Sequence, residues 1–410
     1  MPYAQIRPVL FLVGLMTFAA SIMAQFATQG VALFLRAEET SSGTIGLIYL
    51  AAIPYTLRFL WAPLVDRSGL GGQGRYARWL IVTQIACALA IAAMGLVDPA
   101  SAPLAIIAIL AVFMVSAGTQ QTALGGLMTA SVPAEHYPKV TSIQGISSGL
   151  AGFILGAAVL YVLADIGWQA VIAALTTISL AGCLVAVWIA PPADVPRTRH
   201  EPRVPVLSHL SVFKEPQARQ LFVISALVNC SVGIPYGTKA VLFIDAGFSV
   251  SDGALYGIVL GNLFGVLGAL FIRPVIDRLG GMVVLAGLGT LNVAVVLLFA
   301  FWAMDDGLGP SGTTALVLFA SFAVFASFIA SRSLIMRLCK PGRQATELAS
   351  FVGLEAVVYL IIAGISLALL DRVGLAAILF CLLPCSGAGS LLAWRYQTRY
   401  PGPHRSRGEG

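Results

Sequence analysis

The chain has 410 residues, of which 58% are hydrophobic and only 10% charged. A soluble domain carries roughly 25% charged residues, so a molecule this apolar cannot clothe a water-facing surface, and most of its exterior must meet lipid. The net charge of +6 is spread through short gaps between apolar runs, which is the pattern of membrane topology and not of a nucleic-acid-binding patch.

A membrane-crossing helix needs about 20 mostly apolar residues. Twelve stretches satisfy this in chain order: 8–35, 43–64, 79–97, 103–131, 139–163, 167–190, 218–244, 252–275, 282–303, 313–337, 346–370 and 374–395. The first is too long for a cleavable leader and is read as a span. Connections are short except 191–217, which is rich in Pro, Arg and His. That stretch divides the chain into an N-terminal six-helix bundle (1–190), a cytoplasmic linker (191–217), a C-terminal six-helix bundle (218–396) and a basic cytoplasmic tail (397–410). The predicted fold is an all-α membrane protein of twelve transmembrane helices in two pseudo-symmetric bundles. With both termini inside, most of the 24 Lys and Arg residues fall in cytoplasmic segments and the external loops are acidic, so N-in and C-in is predicted.

One heptapeptide occurs twice. Trp61-Ala62-Pro63-Leu64-Val65-Asp66-Arg67 is echoed by Ile272-Arg273-Pro274-Val275-Ile276-Asp277-Arg278, an offset of 211 residues (274 minus 63). Each copy closes an apolar run, as expected of a transporter built by duplication. A proline there opens backbone hydrogen bonds and allows a bend. An aspartate at the membrane boundary can cap a neighbouring helix N-terminus or pair with a loop arginine. Asp66, Arg67, Asp277 and Arg278 are therefore the expected gating motif, with a bare topology anchor as the alternative.

Polar groups inside spans are costly in lipid and belong in the bundle interior or a wet cavity. Arg332 lies in span 10. Glu355 lies in span 11, about ten residues and hence about 15 Å from its cytoplasmic end. An Arg332–Glu355 pair is within reach, either as a proton-coupling site or as a static pair that fixes packing. The 211-residue offset maps Arg332 onto Gln121 and Glu355 onto Gln144, so charge in one half faces amides in the other, and the four positions are expected to line one central cavity. Gln25 and Gln29 share a helix face, as do Tyr55 and Arg58, Asn229 and Tyr236 (with Lys239 beside the latter), and Glu355 and Tyr359. Small-residue stripes at Gly145, Gly149 and Gly152, and at Gly257, Gly261, Gly265 and Gly268, permit close helix packing.

Six plus six helices with Asp-Arg-x-Gly after spans 2 and 8 resemble the major facilitator superfamily over the whole chain. Pro54-Tyr55-Thr56-Leu57-Arg58-Phe59-Leu60-Trp61-Ala62-Pro63-Leu64-Val65-Asp66-Arg67, with Leu338-Cys339-Lys340 and Ala345-Thr346, is similar to its muropeptide-permease and acetyl-CoA-transporter branch. Thr119-Gln120-Gln121 departs from that branch's Thr-Gln-Asp, and the chain most resembles the inner-membrane siderophore permeases of the pyochelin and rhizobactin type. The resemblance implies a cavity lined by spans 1, 4, 7 and 10. The expected substrate-binding set is then Gln25, Gln29, Gln120, Gln121, Asn229, Tyr236 and Arg332, joined by Tyr55, Arg58, Gln144 and Tyr359. Each amide serves equally well as interhelical glue. Glu355 with Arg332 is the expected proton-coupling pair.

The expected function is a secondary active transporter of the inner (cytoplasmic) membrane. It would import an iron-siderophore complex, pyochelin-like, with protons and by alternating access. The alternative is a permease or exporter of muropeptides or another drug-sized solute. The expected partners are a small-molecule substrate, protons and the lipid bilayer, the chain acting as a monomer without nucleic acid. No cofactor is expected, since there is no Gly-x-x-x-x-Gly-Lys-Ser/Thr loop. No metal site is expected either, because His136, His200, His209 and His404 lie in loops or the tail. Cys381 and Cys385, four apart, are read with the other four cysteines as core thiols. A membrane enzyme or scramblase would need a catalytic constellation, and a receptor an output domain; the sequence displays neither.

Overall fold

The computed structural model describes residues 3–31, 35, 41–67, 76–99, 101–161, 163–193, 210–249, 252–253, 255–304 and 307–399. These form helices throughout, with no strand among the described residues. In order they are α1 (Tyr3–Gln25), α2 (Ser42–Leu57), α3 (Ala62–Arg67), α4 (Tyr76–Met94), α5 (Pro103–Ser131), α6 (Tyr137–Tyr161) and α7 (Leu163–Ala193). There follow α8 (Pro216–Val228), α9 (Cys230–Gly237), α10 (Lys239–Asp245), α11 (Gly261–Leu279), α12 (Gly281–Trp302), α13 (Gly309–Leu338) and α14 (Gln344–Arg399). Among the described residues nine helices are long and apolar enough to cross a membrane, or ten if the bent pair α8 and α9 counts as one span. Large apolar side chains such as Trp188, Leu184 and Leu298 remain more than two-thirds exposed, as they must where the surroundings are lipid and backbone polar groups are satisfied inside each helix.

By contact the chain falls into two compact units. The first is Met1–His136 with Ile154–Val212 and Cys339–Leu354; the second is Tyr137–Phe153 with Phe213–Leu338 and Glu355–Gly410. Each is built mainly from one half of the sequence and takes in a short helical stretch from the other half.

Traces of the duplication survive in the backbone. The turn at Gly167 has φ 76° and ψ 166°, and the turn at Gly374 has φ 77° and ψ 166°. Both lie in left-handed territory that an L side chain rarely enters. Gly280, which ends the second Asp-Arg-x-Gly, is likewise at φ 87°. The repeated prolines, however, behave differently. Pro63 stands in the first turn of α3, where its missing N–H costs nothing. Pro274 sits inside α11, which runs on past it. At the first copy the helix is interrupted, α2, a 3-10 turn at Arg58–Leu60 and α3 succeeding one another, whereas at the second it is continuous.

The small-residue stripes are contact surfaces. A Cβ built at Gly268 would lie 2.4 Å from the carbonyl oxygen of Phe322, and one at Gly149 would lie 2.6 Å from Val266 Cγ2. So α11 packs directly on α13 and on the first half of α6, with no room for a methyl group. The cysteines need correction. Cys87, Cys183 and Cys230 are buried, but Cys339 and Cys385 are half-buried and Cys381 is exposed. Its helix face is apolar and outward, so Cys381 is not a core thiol.

Candidate functional site

The first polar constellation lies in the first unit, where α3 meets the start of α14. Asp66 is buried. Its carboxylate accepts the backbone N–H of Thr346 (2.7 Å) and of Ala345 (3.3 Å), and the hydroxyl of Tyr76 (2.8 Å). These amides are among the orphan donors of the α14 N-terminus, where a negative charge also meets the positive end of the helix dipole. Tyr76 is fully buried and lies 3.3 Å from Gln344 Oε1 as well. It fits because position 126 is glycine: a Cβ there would be 2.4 Å from the Tyr76 ring. Burial raises the Asp66 carboxyl above the usual carboxylate range, while the hydrogen bonds from Thr346, Tyr76 and Ala345 pull it back. One turn into α14 a second carboxylate, Glu347, accepts the N–H of Lys340 (2.7 Å) and faces Ser211 Oγ at 3.4 Å. It ties the end of the central linker to the 339–343 turn.

The second heptapeptide is arranged otherwise. Asp277 is exposed, 3.6 Å from the Nε of Arg273 one turn earlier on its own helix. Arg67 and Arg278 are both exposed.

The second constellation lies in the second unit, at mid-span. The helix of α8 and α9 bends by 56° at Asn229. Asn229 Nδ2 donates to the Ser225 carbonyl at 3.1 Å. The Ser225 hydroxyl donates to Glu355 Oε1. Tyr359, one turn beyond Glu355, donates to the same Ser225 carbonyl (3.2 Å) and lies 3.4 Å from Glu355 Oε1. Arg332 stacks over Phe328 at 4.5 Å, and its charge bears on Glu355. Glu355 and Arg332 are both half-buried. Further along, Tyr236 packs edge-on to Phe325, and Lys239 Nζ sits 4.9 Å over the Tyr236 ring.

The remaining expected residues divide by environment. Gln120 is fully buried and donates to Gln84, which donates in turn to Ser179 Oγ (2.8 Å) and the Ser179 carbonyl (2.9 Å). That ladder joins α4, α5 and α7. Thr119 accepts from Trp61 Nε1 at 2.9 Å. Gln121, the third residue of that run, is half-exposed, as is Gln25. Arg58 donates to the Tyr55 carbonyl (2.7 Å) and stacks on the Tyr55 ring (4.7 Å). Gln144 is buried in the second unit. The side chain of Gln29 lies outside the described residues. Sequence reasoning missed Tyr76, Gln344, Glu347, Ser225 and Gln84. Ser225 carried a signal, since it precedes Asn229 by one turn on the same face, and so did Gln84 and Glu347, polar groups inside the predicted spans 79–97 and 346–370.

Residues 9–361 match the model of the Major Facilitator Superfamily, and the chain belongs to that family. In sequence it is similar to the anhydromuropeptide permease of Escherichia coli (strain K12), with 27% identity over 350 residues covering 83% of this chain and 70% of that one. It is 25% identical over 365 residues to an uncharacterized protein of Haemophilus influenzae, covering 80% of each. In structure it matches a bacterial homologue of the iron transporter ferroportin in an outward-facing state, with a TM-score of 0.69 at 15% identity over 95% of this chain and 99% of that one. It matches the Escherichia coli fucose:proton symporter equally well, with a TM-score of 0.69 at 14% identity over 95% of this chain and 98% of that one. At such identities the two structures show the fold alone. The chain is a multi-pass transporter of the inner (cytoplasmic) membrane and not an enzyme.

Proposed function

We propose that the chain is a proton-coupled secondary transporter that imports a bulky organic solute by alternating access. The observation that supports this best is the Glu355 cluster. The Glu355 carboxyl stands at mid-span, hydrogen-bonded by Ser225 and Tyr359, with the Arg332 charge close by. Intramembrane carboxyls of this kind serve as proton relays. Ser225 also receives, at its carbonyl, the amide of the residue at which the span bends. A proton taken up by Glu355 removes the charge that Ser225 and Tyr359 satisfy, and the bend at Asn229 is the element best placed to answer. Asp66 holds the start of α14 and is the proposed gate, and Arg67, Asp277 and Arg278 belong to the proposed gating motif. The proposed substrate-facing groups are Gln25, Gln121, Tyr55, Arg58, Asn229, Tyr236, Arg332 and Tyr359.

The proposed cargo is an iron-siderophore complex of the pyochelin class. Where the muropeptide branch carries aspartate, this chain has Gln121. That position is half-exposed, while its neighbours Thr119 and Gln120 are committed to packing. The second reading, an anhydromuropeptide, is favoured by the identity to the permease of that name. Proteoliposomes under an inward pH gradient, offered each cargo in radiolabelled form, separate the two. Accumulation of the ferric chelate is expected, and accumulation of the anhydromuropeptide alone would overturn the siderophore reading.

A further inference from the structure

We propose that the cleft between the start of α8 and the end of α14 binds the phosphate headgroup of an anionic phospholipid. The cleft measures about 470 Å³ and is lined by residues of the second unit only. Arg219 reaches it from the first turn of α8; Arg395 and Arg399, one turn apart on a single face, reach it from the last turns of α14. Gln220 and Tyr396 complete the polar rim, and no carboxylate lines it among the described residues. Toward the apolar part of both helices the wall is made by Val223 and Leu392, which are 45% and 37% exposed.

That order of groups reads a lipid from head to tail. Guanidinium forks match phosphate oxygens bidentately, and exposed aliphatic side chains directly below suit an acyl chain. Trp394, 44% exposed beside Arg395, lies where aromatic residues mark the headgroup level. Arginines that merely anchor topology need only reach the interface, whereas these three converge on one cavity from two helices. Basic pockets between spanning helices on the cytoplasmic side are known headgroup sites, and the basic composition of these helix ends places them on that side.

The test is native mass spectrometry of the full chain in detergent, titrated with phosphatidylglycerol or phosphatidylcholine, for the parent, for R219Q/R395Q/R399Q and for R219K/R395K/R399K. The parent is expected to retain phosphatidylglycerol over phosphatidylcholine. The glutamine variant is expected to bind it on the order of tenfold more weakly or less, and the lysine variant to keep the preference. Excess inorganic phosphate should not displace the lipid. Equal phosphatidylglycerol retention by parent and glutamine variant, retention of phosphatidylcholine to the same extent, or displacement by phosphate alone would each overturn the proposal.

Discussion

Asp66 and Asp277 hold the same place in a repeated heptapeptide, yet one is buried on the N-terminus of α14 and the other lies exposed beside Arg273. The sequence marks both as boundary aspartates because each stands in a Pro-x-x-Asp-Arg that closes an apolar run. It does not mark which one finds donors, since Tyr76, Ala345 and Thr346 come from elsewhere in the chain. The burial of Asp66 has a measurable consequence. Its carboxyl is raised in the folded protein, chiefly by desolvation, so the native state holds that proton more tightly than the unfolded state does. The resulting stability is complete below the ordinary aspartate value of about 3.9. It is lost as pH rises through the raised value. Asparagine does not titrate, so the Tm of the parent minus that of Asp66→Asn is predicted to grow as pH falls from neutral toward the carboxylate range. A difference that stays flat or shrinks contradicts the burial argument. Asp277→Asn removes only an exposed pair of a kind worth at most about 0.5 kcal/mol. The same limit of sequence reading applies to the amides. Gln120 and Gln121 are adjacent and chemically identical, and only the packing of α4 and α7 shows that the first is enclosed.

At the scale of elements, apolar length made the spans legible and small-residue spacing made their contact faces legible. The interruptions were less so. The bend at Asn229 has no proline or glycine at the break itself, and the π segments at Phe26–Gly30 and Leu255–Leu260 leave no compositional mark. Such features follow from what neighbouring helices demand, which a single sequence does not display. The glycine contacts are open to test by a pair of substitutions. Gly268→Ala places a methyl against the Phe322 carbonyl, a backbone atom that cannot swing aside. It is predicted to destabilise by about 1–3 kcal/mol. Gly287→Ala in α12 meets nothing within 4 Å and relieves the entropy cost of a helical glycine, about 0.5–1 kcal/mol. Thermal unfolding in detergent should therefore fall for the first and hold or rise for the second. The opposite order would show that α11 and α13 do not touch as described.

For the whole molecule, the paired Asp-Arg-x-Gly, the alternation of spans and gaps, and the single long linker carried the fold and the family, because duplication and lipid solvation both act on composition over long stretches. Cargo and coupling depend on a few side chains whose meaning is local. The central claim is that Glu355 carries the proton. In proteoliposomes, Glu355→Gln is predicted to keep counterflow exchange of the cargo at a rate near that of the parent, because binding and alternation remain. It is predicted to lose uphill accumulation under an imposed pH gradient. Accumulation by Glu355→Gln as steep as that of the parent, in the same gradient, would contradict it.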